Sequence, residues 1–480
     1  MKKIGIVLLI VMFMFLYGCK PKEKLTISFE TNGGSSIEDV VIDSTLDFVL
    51  PDDPVKEGYT FAGWYLDEAF DVEYSTSLLN NNITLYAKWI EDEIVYDLAI
   101  FFESNGGNEI EPVIKSAGEI ITEPTHPVKE GYEFAGWYSD VDLTYVYHFN
   151  TMPEESITLY ADWGTLGLEY ELINDETEYS VNKGNASELI EIQIPNIKDG
   201  KKVTQIKNQG FLNCMNLTKI IIPKTIVLIP EASFKGCGNL VEMILPFTGN
   251  NREATGYQGL FGYIFGSEEF NGSKKVMQYF MELTSNDDNN NNSIRLSIKP
   301  LLSFEPPTMN CFYISKCLNK IVITDEDIIK AGAFSGLINL DSLVLNEGIT
   351  KISKNAFSGC GVKGIEIPKS VIEIDSLGLS GAEVIFKEGI NLKTIKSLSF
   401  YSYAGNELTI PNSVIKIEET AFYGSSLKSV YIPNSVEEIE KWVFAHCNLT
   451  IYVEAINKPE GWDEDWNLEN RPVVWGYTGE

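Results

Sequence analysis

The apolar positions of this chain follow three patterns, and each pattern predicts a different kind of element. Residues 4–17 form an apolar run that is interrupted only by Gly5. Between residues 25 and 164, short stretches alternate apolar and polar residues, and Asn-Gly-Gly and Glu-Gly-Tyr turns separate them. Alternation with a period of two predicts half-buried strands. After residue 205, large apolar residues return about every 22 positions, which predicts stacked coils. The chain is therefore predicted to be mainly β.

The alternating stretches are two copies of one module. Residues 27–34, 54–65 and 83–89 recur as 100–107, 127–138 and 157–163, at offsets of 73, 73 and 74 residues. Trp64, Tyr65, Trp137 and Tyr138 are predicted core anchors, because a module this small needs its aromatic side chains to fold. A platform that stacks sugars is the alternative interpretation of these four residues.

The shared motif NGG…GYxFxGWY…ITLYAxW resembles the internalin-type B-repeat (the Flg_new family) of bacterial surface proteins. The resemblance covers residues 25–90 and 98–164. It implies a small β-grasp-like domain that acts as a spacer or a weak adhesion module.

The 22-residue pattern places an apolar anchor, a short strand and a proline in each coil. The anchors are Phe211, Phe234, Phe312, Phe334, Phe357, Leu379, Phe400, Phe422 and Phe444. Four of the anchors are followed by a cysteine three residues later: Cys214, Cys237, Cys360 and Cys447. We expect these thiols to point inward as small buried groups, and a bridge between Cys214 and Cys237 is not favoured. Coils of this kind bury their apolar residues only against their neighbours, so the pattern predicts a solenoid.

The repeated pattern AFxxC…L…I.IP.SV..I resembles the BspA-like leucine-rich repeat over about residues 205–455. The resemblance implies a surface protein used in binding or adhesion, without enzymatic chemistry. It also implies that Asn216, Asn239 and Asn339 cap the backbone between coils. We expect an N-terminal cap of the solenoid at residues 165–204, repeats at 205–456 and a C-terminal cap at 457–480.

The period breaks between Pro246 and Phe312, which predicts an insertion at about residues 248–307. The stretch at 260–266 reads LFGYIFG and is either a variant coil, which we favour, or a docked ligand loop. The asparagine-rich stretch at 286–292 is predicted to be an exposed loop, and loops on a rigid scaffold often carry binding.

The first residues predict export. Lys2 and Lys3 precede the apolar run, and Leu16-Tyr17-Gly18-Cys19 resembles the lipobox of bacterial lipoproteins, although Tyr17 is larger than that family usually shows. Residues 1–18 are then a signal peptide cut between Gly18 and Cys19, and 19–24 are an acylated cysteine with a short linker. Acyl chains on Cys19 anchor a protein to a membrane without spanning it. A signal anchor that is never cut is the alternative.

Charge and residue usage narrow the possible functions. A formal net charge of −32 argues against nucleic acid and against direct adhesion to anionic lipid. His126, His148 and His446 are not at metal-binding spacing, and His446 lies beside Cys447, which is in the core register. Cys311 and Cys317 are six residues apart and give only a weak signal. We expect no catalytic residue, no cofactor and no metal ion.

The sequence thus predicts a lipoprotein on the outer face of the bacterial cell membrane. It would present a leucine-rich-repeat surface to a protein or cell-surface ligand, held off the membrane by B-repeat spacers. One alternative is a structural envelope protein without a specific ligand. Another is a transport-associated receptor or an enzyme with its site in the insertion.

Overall fold

The computed structural model describes residues 24–43, 48–75, 81–92, 98–280 and 308–479. The chain divides into two compact units, Met1–Asp97 and Leu98–Glu480. Gly18 and Cys19, the predicted cleavage and acylation residues, lie outside the described residues, and so does the asparagine-rich stretch at 286–292. Within the described ranges there is no α-helix and no helix that could cross a membrane.

The first unit is a four-stranded sheet. Its strands are β1 (Lys24–Glu30), β2 (Val40–Asp43), β3 (Tyr59–Tyr65) and β4 (Ile83–Glu91). The spatial order is β2-β1-β4-β3, with β1 and β4 parallel in the centre and the outer strands antiparallel to them. A mixed sheet with this order is β-grasp-like, as predicted. Trp64 is only 3% exposed and packs against Phe29 and Phe61, so it is a core anchor.

The second unit holds the remaining strands. In chain order they are β5 (Leu98–Glu103), β6 (Val113–Lys115), β7 (Tyr132–Tyr138), β8 (Ile157–Thr165), β9 (Glu169–Ile173), β10 (Glu178–Asn182), β11 (Glu191–Gln193), β12 (Ile197–Lys198), β13 (Lys201–Ile206), β14 (Lys219–Ile221), β15 (Glu242–Leu245), β16 (Ser273–Phe280), β17 (Thr308–Ser315), β18 (Lys320–Ile323), β19 (Ile328–Ile329), β20 (Ser342–Val344), β21 (Lys351–Ile352), β22 (Ile365–Ile367), β23 (Glu373–Ile374), β24 (Val384–Phe386), β25 (Thr394–Ile395), β26 (Glu407–Thr409), β27 (Lys416–Ile417), β28 (Ser429–Ile432), β29 (Glu438–Ile439), β30 (Thr450–Val453) and β31 (Val473–Trp475). Short 3₁₀ turns occupy Gly184–Glu188, Gly256–Gly259 and Phe261–Ile264.

The second module repeats the first sheet with the order β6-β5-β8-β7. Trp137 and Tyr138 are each 1% exposed, which confirms that they are core residues. The two modules differ, however, at the end of their last strand. At the end of its last strand, β8, the second module packs directly onto β11 at the start of the solenoid.

Three side-chain differences explain this junction. Where the first module has Lys88, Ile90 and Glu91, the second has Asp162, Gly164 and Thr165. The Asp162 carboxylate accepts hydrogen bonds from the Asn196 backbone N–H at 2.8 Å and from its side-chain amide at 3.1 Å. Thr165 Oγ1 accepts one from the Gln193 N–H at 2.8 Å.

Gly164 is needed because a Cβ there would lie 2.9 Å from Pro195 Cγ. These contacts place the second module directly against the first coils of the solenoid.

The solenoid proper consists of coils whose short strands pair in parallel. One strip of strands runs through β11, β14, β15, β18 and β20, then β22 and β24, then β26, β28, β30 and β31. A second strip consists of the two-residue strands β19, β21 and β23, then β25, β27 and β29. A single apolar core runs between the strips from Leu168 to Trp466. The structure is therefore the predicted repeat solenoid.

The predicted anchors form a column of rings inside this core. Eight of the nine predicted positions are fully buried at the turn of a coil: Phe211, Phe234, Phe334, Phe357, Leu379, Phe400, Phe422 and Phe444. Successive rings stack, as Phe211 and Phe234 do at 5.5 Å and 7°. The four cysteines that follow anchors are buried and unbridged, as predicted. Two of their thiols also donate to a carbonyl of the preceding coil, Cys237 to Phe211 and Cys447 to Phe422.

The prediction that Phe312 is an anchor was wrong. Phe312 is buried, but it lies in β17, where its ring packs 5.3 Å from Tyr257. Phe261 and Phe265 fill the column instead: Phe265 is 6.2 Å from Phe234, and Phe261 is 6.4 Å from Phe334. The segment 260–266 thus serves as a variant coil, the alternative that we favoured.

The rest of the insertion begins with β16 and ends with β17. These two strands form an antiparallel hairpin, in which Ser273 pairs with Ser315 at one end and Phe280 pairs with Thr308 at the other. Gln278, which is fully buried, holds this hairpin on the coils. Its amide accepts from the Gly262 N–H at 2.6 Å and donates to the carbonyls of Ala333 and Ser335.

Side chains close the two ends of the core. At the C-terminal end, Trp462 Nε1 donates to the Val436 carbonyl at 3.0 Å, and Arg471 Nε donates to the Cys447 carbonyl at 2.7 Å. At the N-terminal end, β12, β13, β10 and β9 form a small sheet over the first coils.

Candidate functional site

The first strip of strands presents a row of side chains that point away from the core. Most row residues lie between two buried neighbours, and within each of the three sheets of this strip the strand register aligns the row from coil to coil. The outward row, as we call it, consists of Gln193, Ile221, Ile244, Val322, Val344, Glu366, Ile385, Thr409, Tyr431, Tyr452 and Val474. It is mostly apolar and open to solvent: Val344 is 47% exposed and Ile385 is 56% exposed.

Sequence reasoning missed this row, although a signal for it was present. Strands such as Ile220-Ile221-Ile222 and Val430-Tyr431-Ile432 are apolar at all three positions. A strand with one buried face needs apolar residues only at alternate positions, so the apolar middle residue was unexplained.

Three adjoining pockets, which together we call the groove, lie beside the outward row. Its first part, of about 490 Å³, lies between the second module and the first coils and includes Val141, Ile221 and Ile244. Its second part, of about 530 Å³, includes Ile385 and Thr409. The third part, of about 280 Å³, extends the groove to the C-terminal end. Lys387 lines both the first and the second part, and Thr409 lines both the second and the third.

Three tyrosines form the wall at the C-terminal end. The Tyr431 and Tyr452 rings stack at 4.9 Å and 18°, and Tyr477 contacts both, at 5.5 and 4.9 Å. The ladder neighbour of Tyr431 on its other side is Thr409, whose side chain is short. One ring face of Tyr431 therefore borders the second part of the groove instead of another ring.

The groove is negatively charged. Glu388 and Glu407 line its second part and Glu454 its third part. None of these three carboxylates forms an ion pair with a described residue. Among the described residues that line these two parts of the groove, the one cation is Lys387, which lies 2.6 Å from Glu347 and 3.7 Å from Glu366. The hydrogen bond with Glu347 raises the pKa of Lys387 and lowers that of Glu347, so this lysine stays charged and paired.

The residues that the sequence singled out lie elsewhere. Tyr65 is half-buried and holds Lys88 over its ring at 4.8 Å. Asn216 and Asn239 donate to the Glu188 and Met215 carbonyls, which confirms the predicted capping between coils for two of the three asparagines but not for Asn339. Cys447 is buried, and burial raises its thiol pKa, which is unsuited to a nucleophile.

Neither a glycine-rich stretch of the sequence nor the described metal-ligating residues form a chemical site. Residues 359–364 read GCGVKG, the spacing of a dinucleotide-binding loop, but they lie in a turn of a coil with no helix after it. In the part of the chain that the structure describes, no group of three or more His, Cys, Asp or Glu residues is placed to hold a metal ion.

Comparison with known proteins agrees with this architecture. The model of the Listeria-Bacteroides repeat domain matches residues 26–88 and 99–162. The model of the BspA type leucine rich repeat region matches residues 185–258, 308–385 and 393–458, with six copies. The chain carries two Listeria-Bacteroides repeats and a BspA-type repeat region. Both repeat-family resemblances stated from the sequence are confirmed.

Individual relatives share only parts of the chain. A protein of Evansella cellulosilytica, named as a membrane protein, is 44% identical over 156 residues, which are 31% of this chain and 22% of that protein. Internalin H of Listeria monocytogenes is 32% identical over 118 residues, which are 24% of this chain and 20% of internalin H. The chain thus spans about a fifth of the length of these curated relatives.

Solved structures of leucine-rich-repeat proteins are similar at low identity. One from Bacteroides ovatus is 18% identical, with 65% of this chain and 70% of that chain covered and a TM-score of 0.27. A leucine rich cell surface protein from Faecalibacterium prausnitzii is 18% identical, with 64% and 85% covered and a TM-score of 0.26.

Proposed function

We propose that the solenoid of the BspA-type region binds a partner protein along the outward row. The observation that carries this proposal is the row itself, since apolar side chains lie open to solvent on successive strands. A contiguous apolar patch on an exposed surface usually marks a binding site. The groove beside the row gives a partner segment a defined path from coil to coil, across the strands.

Attachment to the membrane is part of the proposal. Cys19 carries acyl chains after cleavage at Gly18, and the protein is held on the outer face of the bacterial cell membrane. The first repeat acts as a spacer. The second repeat and the solenoid act as one binding body, an assignment that the Asp162 and Thr165 contacts support.

Binding without catalysis is the function that the groove chemistry supports. The described residues that line the groove include neither histidine nor cysteine. The insertion, where an enzyme site was the alternative, uses its buried Gln278 to hold backbone groups.

Site-specific photo-crosslinking on living cells tests the proposal. A photo-reactive amino acid replaces Val344 or Ile385 in the row, or the control Ile415, which is 41% exposed on the coil but outside the row. Partner proteins should crosslink from Val344 and Ile385 and not from Ile415, and Val344→Glu should abolish the crosslink from Ile385. Equal crosslinking from Ile415 would refute binding along the row.

The same cells test the anchor. With Cys19 present, the crosslinked complex should sediment with membranes, and with Cys19→Ala it should not. A complex that stays in the membrane fraction with an uncut signal would show a signal anchor instead.

A further inference from the structure

The second part of the groove lies over Thr409, a short residue of the outward row between Ile385 and Tyr431. Thr409 pairs with Tyr431 on the next strand, about 4.8 Å away, whereas β24, which carries Ile385, is not hydrogen-bonded to β26. There is therefore a gap above Thr409, beside the Tyr431 ring, that a planar group can enter. We call this gap the Thr409 slot.

The wall of the Thr409 slot is an aromatic face. Tyr452 and Tyr477 contact Tyr431 and hold its ring in place, while the face toward Thr409 remains available. An aromatic face attracts a cation, and arginine, which is planar, can stack on it directly.

Charge decides which ligand class suits the slot. Glu388 and Glu407 line it without an ion pair among the described residues, and Glu454 lies in the next part of the groove. A neutral sugar could stack on Tyr431 but would leave these charges uncompensated. A guanidinium group satisfies both the ring face and the carboxylates.

We propose that the Thr409 slot receives an arginine side chain from an extended basic segment of the partner protein. The inference rests on the proposed function and adds the chemistry of the ligand. The apolar row on either side would receive the rest of the segment.

A titration with defined peptides tests the slot. The full chain, kept in mild detergent, is titrated calorimetrically with a peptide of four Gly-Arg repeats and with the same peptide containing citrulline, the neutral isostere of arginine. We expect the arginine peptide to bind and the citrulline peptide to bind at least about tenfold more weakly. Raising the salt from about 0.05 M to about 0.15 M should weaken binding of the arginine peptide.

Three variants locate the binding. Tyr431→Leu and Glu407→Gln should each weaken binding at least about threefold. Glu437→Gln makes the same charge change at an exposed position outside the groove and should leave binding unchanged. Equal melting temperatures of the variants would show that the fold is intact.

Three results would each overturn the inference. They are equal binding of the two peptides, equal weakening by Glu407→Gln and Glu437→Gln, and displacement of the arginine peptide by a neutral oligosaccharide.

The crosslinking experiment separates failure of the arginine slot from failure of the proposed function. Crosslinks from Val344 with no arginine binding would reject the slot alone. Arginine binding without any crosslink from the row would reject the proposed partner instead.

Discussion

At the scale of single residues, Asp162 is a buried acidic residue at the junction between the second module and the solenoid. Its carboxyl is 1% exposed between the second module and the first coil. Burial raises its pKa to about 6, although the Asn196 and Trp163 N–H groups oppose the shift. Keeping the carboxylate ionised at neutral pH therefore costs a net free energy of about 3 kcal/mol.

This environment predicts a pH effect on stability. The folded state binds the proton more tightly than the unfolded chain, whose aspartate has a pKa of about 3.9. The contribution of Asp162 to stability is therefore full below about pH 4 and is lost as the pH rises to about 6. We compare the melting temperatures of the wild type and Asp162→Asn. The wild-type value minus the variant value should decrease as the pH is raised from 4 to 7.

Asp175→Asn is the matched control, because Asp175 is exposed in the turn between β9 and β10. Its melting temperature should follow that of the wild type across this range. If the difference between wild type and Asp162→Asn did not change with pH, the carboxyl would not be desolvated as the structure shows.

At the scale of elements, the segment 260–266 shows how a coil can be replaced. It has no cysteine and no regular spacing, yet Phe261 and Phe265 continue the column of rings from Phe234 to Phe334. The ends of this short 3₁₀ turn also bond to neighbouring coils, with the Ile264 carbonyl accepting from Phe234 at 2.9 Å. Core continuity thus matters more than the exact repeat sequence.

Truncation of a ring in this column should be costly. Phe265→Ala should lower the free energy of unfolding by about 3–5 kcal/mol, because it leaves a cavity between coils. Phe265→Leu is the matched control, since Leu379 fills the same position in another coil and is fully buried. Chemical denaturation of the three proteins measures the difference. An alanine variant as stable as the wild type would place this segment outside the core.

The sequence predicted repeats well and junctions poorly, for a physical reason. Periodicity reports which residues a repeat buries in every copy, so the anchors at Phe357 and Phe422 were evident. Junctions depend on residues that differ between copies, such as Asp162 in place of Lys88, and a motif shared by both copies hides such differences. Phe312 was misassigned because a strand of a hairpin also buries alternate residues, and its spacing to Phe334 happened to match the repeat.

At the scale of the whole molecule, the insertion does not interrupt the solenoid, because the β16–β17 hairpin brings the two ends of the inserted segment together. Phe280 pairs with Thr308, so the chain leaves and rejoins the fold at adjacent points. Gln278 ties this hairpin to Gly262, Ala333 and Ser335, one on the variant coil and two on the following coil.

Replacing residues 281–307 by Asn-Gly should therefore preserve the fold. A two-residue Asn-Gly turn suits a hairpin, and a shorter loop should raise the free energy of unfolding by up to about 2 kcal/mol. In the same shortened protein, Gln278→Ala should lower it by about 1–3 kcal/mol, because it leaves backbone groups unpaired. Thermal melts compare the variants. A shortened protein that melts in two steps would show that the replaced residues support the coils.

The closed hairpin also has an evolutionary consequence. Because the hairpin pairs Phe280 with Thr308, a change of sequence between these two residues should leave the stacking of the coils unchanged. Selection could then act on this segment independently of the rest of the gene, whereas a change within a coil alters how that coil packs against its neighbours. Among related strains, length variation should accordingly concentrate at this point, and the coils on both sides should keep their number of residues.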